Sequence, residues 1–446
     1  MGVFKTYDIR GVWGEGIDAA LSYRIGRAFA RFLGGSRYIV GYDARKHSRE
    51  MYERVAAGLV DEGKAVTGIG MVSTPLLHHA EMQGKYDGAL MVTASHNPPP
   101  YQGAKLYDGG GGSVSYAKGL DRVERIANAL TGREEKVPGG SFSETDPVAQ
   151  YAEFVCSPLG GRRPRSKFVV DVSNGSAGRV FRAVVERLGA DALLINEKPD
   201  GSFPNHSPNP LEPESMHALS SEVVRRGADF GVILDGDGDR LLFVDEKGQR
   251  IENYFLSVLI AEELLQERPG AAVVYDLISS RVLPERIREL GGKPVVSRVG
   301  YTFLYDAMVA SGAVFGSETS GHVYFRVTER YYTESAAYAM VVLLRLLDRR
   351  RGTLSGAIDP LRGRYYQMPE TNLEVRDKEG ALEAVRRTWG HAELEELDGV
   401  SVSLPEYWFN VRPSNTEPVL RVRLEAVDRE TAEGAARKLT ELLGSM

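Results

Sequence analysis

The chain has a single cysteine, Cys156, among 446 residues. A lone thiol makes no internal disulfide, so the fold must hold without covalent cross-links, and the composition suits a reducing compartment. Long apolar runs are scarce too. The fullest, "AAYAMVVLLRLL" at 336–347, is broken by Arg345 and too short to cross a bilayer. The opening "MGVFKTYDIRG" carries no apolar core of the secretory kind. These absences lead us to expect a cytoplasmic protein with no membrane association. Excess positive charge is also missing: 55 Lys+Arg against 61 Asp+Glu give a net charge of −6. With bases and acids interspersed there is no field to attract nucleic acid. An anionic ligand would have to be met by individual Arg and Lys side chains placed in loops.

What is present reads as several domains, because one hydrophobic core stops growing well short of this length. A pattern recurs three times. "RYIVGYD" (37–43), "KFVVDVS" (167–173) and "AAVVYDL" (271–277) are β-branched runs that reach an Asp and feed a helical pattern. Such runs read as buried parallel strands. Each is followed later by a second strand ending in a polar loop: "GALMVTASHNP" (88–98), "DFGVILDGDGDR" (229–240) and "GAVFGSETSGH" (312–322). Three similar α/β modules therefore carry three different loops at matching places, an arrangement that predicts one shared site. After a Pro/Gly-containing linker near 358–366 the pattern changes to alternating strands and a closing helix, "ETAEGAARKLTELL". This predicts a small α+β domain with a mostly antiparallel sheet.

The loops hold the chemistry. In "DGDGDR", Asp235, Asp237 and Asp239 alternate with glycines, so three carboxylates can converge on one hard divalent cation, Mg²⁺ above all. The competing reading is a calcium loop, in which Glu246 takes the twelfth place; the sixth, which needs Gly, is Arg240, and both flanks read as strands. A solvated acidic turn is the plainer alternative. "RPSNTEP" (412–418) offers Arg412 as a bidentate fork with short donors on a turn, suited to phosphate, although Pro-Ser-Asn is also ordinary turn chemistry. "FGSETSGH" (315–322) sets Glu318, Ser320 and His322 on a glycine-flanked loop suited to sugar hydroxyls, or simply to a turn. "TASHNPPPYQGAKLY" (93–107) ends a strand on a small hydroxyl, Ser95, and then stiffens the chain with prolines.

Together "TASHNP", "DGDGDR", "ETSGH" and "RPSNTEP", with "YDIRG" at 7–11, resemble the α-D-phosphohexomutases, specifically their phosphomannomutase/phosphoglucomutase branch. The resemblance spans essentially the whole chain. It implies an α/β fold of three similar modules with mixed sheets plus a smaller C-terminal α+β domain, heart-shaped around a central cleft. The expected boundaries are 1–142 with the phosphoserine loop, 143–250 with the metal loop, 251–360 with the sugar-binding loop, and 361–446 with the phosphate-binding loop.

Carried onto this chain, the resemblance makes Ser95 the phosphorylated serine, its phosphoryl group completing a Mg²⁺ shell with Asp235, Asp237 and Asp239. His96 and Lys105 are expected in the same loop, and Arg10 within reach of it. Lys105 is the expected general acid/base, with plain phosphate binding as the alternative. Arg240 is expected to brace the phosphoserine loop or to pair with an aspartate of its own motif. Arg412, Ser414, Asn415, Thr416 and Arg421 would clamp a distal phosphate, and Glu318, Ser320 and His322 would read hydroxyls. The implied reaction interconverts hexose 1- and 6-phosphates of mannose or glucose through a bound 1,6-bisphosphate, with glucose 1,6-bisphosphate or an equivalent as activator. Small hexose phosphates are the expected partners, and either a monomer or a homodimer is compatible.

Alternatives stay open: a phosphoglucosamine mutase, a metal-dependent sugar-phosphate phosphatase using the same Ser95 and aspartates, or a non-catalytic sensor. Asn415 favours the mannose/glucose branch over the glucosamine one. Ile278 and Tyr301 stand where the bifunctional relatives carry lysine and histidine, and Ser317-Glu318-Thr319 replaces the commoner Gly-Glu-Met.

Overall fold

The computed structural model describes residues 2–414 and 419–444. It divides into two units, Met1–Asn253 with Ser320–Ser355, and Tyr254–Thr319 with Gly356–Met446.

In the first unit, the β-branched runs read above are buried strands. A six-stranded sheet runs in the order Ile9–Val12, Tyr101–Tyr107, Gly88–Val92, Arg37–Tyr42, Ala65–Met71, Ser141–Glu144. Its centre is parallel, whereas Tyr101–Tyr107 runs antiparallel to both its neighbours. A mixed sheet follows from the loop after Val92: residues 93–100 are too few for a helical crossover, so the chain turns straight back. The second sheet repeats the device. Phe168–Asp171 is parallel to Ala192–Ile195 and Phe230–Leu234, and Leu241–Asp245 returns antiparallel after residues 235–240.

Helices Ala19–Leu33 and Ser48–Asp61 cover the first sheet, and Phe29, Val55 and Leu59 are fully buried in its core. Each such side chain is stabilising by roughly 1.5–3 kcal/mol. The two helices cross closely because Gly26 has no side chain; a β-carbon there would lie 2.2 Å from the Val55 carbonyl oxygen.

In the second unit, Ala272–Asp276 is parallel to Lys293–Ser297 and to Phe315–Ser317. The C-terminal sheet is antiparallel throughout its pairings and packs on Lys378–Thr388 and Arg429–Leu443 around Trp389, Phe409 and Leu424. The linker expected near 358–366 is largely helical: Leu354–Arg362 forms a helix with Pro360 inside it. Leu354, Ile358 and Leu361 recur at helical spacing and are buried, and that stripe outweighs the Pro/Gly signal. No helix among the described residues is long and apolar enough to cross a membrane. Cys156 is buried, which pushes its thiol up to about 11 and leaves it unreactive.

Candidate active site

The loop after Val92 and the loop after Leu234 meet. Ser95 Oγ donates to Asp235 Oδ2 at 2.7 Å and lies 3.2 Å from His96 Nδ1. The approach is possible because position 236 is glycine; a β-carbon there would come within 2.7 Å of the Ser95 carbonyl oxygen. Ser95 adopts φ 47, a left-handed conformation that costs a residue with a β-carbon about 1–2 kcal/mol. Its N–H is held by the Thr93 hydroxyl oxygen at 2.8 Å.

Asp235, Asp237 and Asp239 are fully buried and close enough to share one ion. Asp235 Oδ1 accepts the N–H groups of Asp239 and Arg240, which pins the turn. Thr74 donates its hydroxyl to Asp237 Oδ2 at 2.6 Å. Lys105 Nζ bonds Asp237 Oδ2 at 3.0 Å and also Asp239 Oδ2. Asp237 Oδ1 and Asp239 Oδ1 remain buried with no hydrogen-bond partner among the described residues. Orphaned buried carboxylate oxygens are costly unless a cation meets them, so this donor set fits a hard divalent metal.

The electrostatics follow from burial and crowding. Desolvation, with Asp239 and Asp237 adding to it, holds Asp235 well above the usual carboxylate range. Burial would raise Asp237 likewise, but the Lys105 ammonium, the Thr74 hydroxyl and Arg10 outweigh it and hold Asp237 below that range. The Arg240 guanidinium, burial and Arg10 push His96 well below its ordinary value, so its imidazole is neutral.

Some expectations need correcting. Lys105 lies on the strand Tyr101–Tyr107, paired with Met91, and not in the serine loop. Arg240 faces His322 across an isolated antiparallel bridge, and its Nε donates to His322 Nε2 at 3.0 Å; among the described residues its guanidinium acts on the serine loop through its charge beside His96 rather than through a hydrogen bond. His322 is buried and also bonds Glu334 through Nδ1, so both ring nitrogens are engaged within the protein rather than turned to a hydroxyl. The calcium-loop alternative falls, because strands flank the aspartates and Glu246 instead accepts the N–H of Ser355 at 3.1 Å. Arg10 donates to the Thr93 carbonyl, at the start of the serine loop, and to Asp8 at 2.8 Å.

In the second unit, Glu318 accepts the Gly300 N–H at 2.5 Å, next to Tyr301, which opens the helix Tyr301–Ser311. Ile278 is buried just past the strand Ala272–Asp276. Arg412 and Arg421 are opposite one another on adjacent strands and share Glu370, at 2.8 and 3.7 Å. Ser320 is partly buried and Ser414 buried; Asn415 and Thr416 lie outside the described residues.

Sequence reasoning missed Asp43, Arg45, Thr74, Glu334 and Glu370. The signal for Asp43 is in the sequence, because it ends the β-branched run "RYIVGYD". Asp43 accepts the N–H of Ala94, two residues beyond the strand Gly88–Val92. Asp276 accepts the N–H of Thr319, two residues beyond Phe315–Ser317. A serine hydroxyl supports each, Ser48 on Asp43 and Ser279 on Asp276. In these two modules the strand-ending aspartate holds the loop that follows a neighbouring strand of its sheet, whereas Asp171 of the other module bonds Asn196 and its own turn at Ser173.

The comparisons with known proteins agree with this architecture. Four family models match in order: phosphoglucomutase/phosphomannomutase alpha/beta/alpha domain I over residues 1–134, domain II over 149–248, domain III over 252–365 and the C-terminal domain over 370–442. A phosphomannomutase of Methanocaldococcus jannaschii is 33% identical over 446 residues, covering 100% of this chain and 98% of its own. A phosphomannomutase/phosphoglucomutase of Pseudomonas aeruginosa is 33% identical, covering 97% of this chain and 93% of its own. Among solved structures, a phosphoglucomutase/phosphomannomutase family protein of Burkholderia thailandensis superposes with a TM-score of 0.88 at 32% identity, over 99% of this chain and 97% of that one. With four consecutive domain models matched and full-length relatives a third identical, the chain belongs to the phosphoglucomutase/phosphomannomutase family.

Proposed function

We propose that the protein is a phosphohexomutase that interconverts the 1- and 6-phosphates of mannose or glucose, with Ser95 carrying the transferred group. The observation that supports this most is the bond from Ser95 Oγ to Asp235 in a buried carboxylate triad, two of whose oxygens have no hydrogen-bond partner among the described residues. Asp235, Asp237 and Asp239, together with the phosphate on Ser95, would hold Mg²⁺. When bound, the ion supplies charge neutralisation at the phosphoryl oxygens.

The side chains account for the rest. A sugar hydroxyl attacks the phosphorus of phospho-Ser95 in line; the bond from phosphorus to Ser95 Oγ breaks as the bond to the sugar oxygen forms. The proton lost by the sugar passes to the protein. Lys105, an ammonium bonded to Asp237 and Asp239, is our assignment for the relay: it gives a proton to the departing Oγ and is reprotonated by the sugar hydroxyl, while neutral His96 orients Oγ from 3.2 Å. The bisphosphate turns over, and its other phosphoryl group returns to Oγ by the reverse step. Arg412, Ser414, Asn415, Thr416 and Arg421 take the distal phosphate in both orientations, and Glu318 and Ser320 the hydroxyls.

The reading is tested by phosphorus NMR on the purified protein with Mg²⁺, trace glucose 1,6-bisphosphate and equal glucose 1-phosphate and mannose 1-phosphate. Growth of the 6-phosphate signals, abolished in Ser95→Ala, supports it. Growth of free phosphate alone would make the protein a phosphatase and sink it.

A further inference from the structure

Residues 93–100 turn back between two adjacent strands, and carbonyls in and beside such a turn fall outside the ladder and need other donors; that of Pro98 also takes a strand N–H, from Tyr101 at 3.1 Å. One buried side chain meets them. Arg45, 3% exposed, donates through Nη1 to the carbonyls of Pro98 at 2.8 Å and Tyr101 at 3.2 Å. Through Nη2 it donates to the carbonyl of Ser95 at 2.8 Å and to that of Asn97. The terminal nitrogens of a guanidinium bear four N–H groups, and four carbonyls take them.

Arg45 is itself held. Its Nε lies 3.2 Å from Asp43 Oδ2, and its backbone N–H donates to Asp43 Oδ1 at 3.0 Å. The Phe203 ring covers the guanidinium, with Cζ 5.1 Å from the ring centroid. The load on this clamp is visible at Ser95, whose left-handed backbone persists only while both of its peptide groups are restrained. Thr93 restrains the N–H and Arg45 restrains the carbonyl.

We propose that Arg45 is the positioning residue of the Ser95 loop: its four terminal N–H groups, anchored by Asp43 and capped by Phe203, hold Ser95 in the turn that aims Oγ at Asp235. The catalytic consequence rests on the reading of Ser95 as the phosphorylated residue; the clamp itself does not. Lysine keeps the charge but not the planar fork, so it cannot hold four carbonyls at once. Arg45 acts through the loop and does not bind substrate, and its loss therefore falls on kcat rather than KM. A displacement of about 1 Å at a reacting atom costs on the order of 10²-fold.

The test compares full-length wild type, Arg45→Lys and Phe203→Leu, each with Mg²⁺ and glucose 1,6-bisphosphate. It reads kcat and KM on glucose 1-phosphate and mannose 1-phosphate, and amide hydrogen exchange over residues 93–101. Arg45→Lys is expected to lower kcat on the order of 10²-fold with KM changed by no more than about twofold, and to speed exchange in 93–101 alone. Phe203→Leu is expected to move both readouts the same way by less, and it decides the matter should Arg45→Lys fail to fold. Unchanged kcat and exchange would overturn the proposal. So would a rise in KM alone, or a loss of protection spread evenly over the chain. Wild type inactive on both sugars would count against the mutase reading, and exchange in 93–101 would still decide the clamp.

Discussion

Thr74 and Asp237 hold each other twice: the Thr74 hydroxyl donates to Asp237 Oδ2 at 2.6 Å, and the Thr74 N–H donates to the Asp237 carbonyl at 2.9 Å. Thr74 opens the helix Thr74–Gly84, so a rigid element fixes the angle at which this carboxylate meets its neighbours. Removing the hydroxyl while keeping the shape, as in Thr74→Val, should weaken divalent-metal binding by about 10–100-fold. Titration calorimetry with Mg²⁺ measures this, and turnover should recover at saturating Mg²⁺. Affinity equal to wild type would show that Thr74 does not orient the triad.

Further along the same helix, Glu81 is buried, and one of its oxygens has no hydrogen-bond partner among the described residues. Burial, aided by Asp108 and opposed by the Gly109 N–H, pushes its carboxyl from 4.5 up to about 8. The folded state thus keeps a proton that the unfolded state releases between those values, and the stability it contributes is lost as pH rises through that window. Glu81→Gln removes the titration. Urea denaturation of both proteins at pH 5.5 and 8.5 should show the variant gaining on wild type by a few kcal/mol at the higher pH, one pKa unit being worth about 1.4 kcal/mol. Parallel pH dependence in the two proteins would contradict this account.

Gly26 predicts a purely structural effect. The β-carbon of Gly26→Ala would press on the Val55 carbonyl, a backbone atom that cannot swing away. Overpacking of this kind costs about 1–3 kcal/mol. Denaturant melts should show that loss with an unchanged m-value, and a neutral or stabilising outcome would mean that the helices can part without penalty.

Much of this was legible in the sequence. Long β-branched runs ending in Asp announced the parallel strands, because burial on both faces leaves an uninterrupted apolar signal. The alternation of Asp and Gly at 235–239 announced a carboxylate cluster, because chemistry and backbone freedom coincide there. Less accessible were partners supplied from far along the chain. Nothing near Thr74 or Arg45 points to Asp237 or to the carbonyls of residues 95–101; strand order, not local spacing, brings them together. The resemblance puts Lys105 in the same loop as His96, yet pairing with Met91 draws it into the sheet. His322 reads as a hydroxyl ligand on a glycine-flanked loop, and it is buried instead, bridged to Arg240. Pro360 suggested a linker where three buried apolar residues make a helix.

The central claim, that Ser95 carries the transferred phosphoryl group, is tested most directly in a single turnover. Protein labelled by exchange with radioactive glucose 1,6-bisphosphate and freed of excess ligand is mixed with unlabelled glucose 1-phosphate and Mg²⁺, then quenched over time. The account predicts label on the peptide containing Ser95 at the start, passing to hexose bisphosphate and then to hexose monophosphate without release of inorganic phosphate. Label absent from that peptide, or leaving it only as inorganic phosphate, would contradict it.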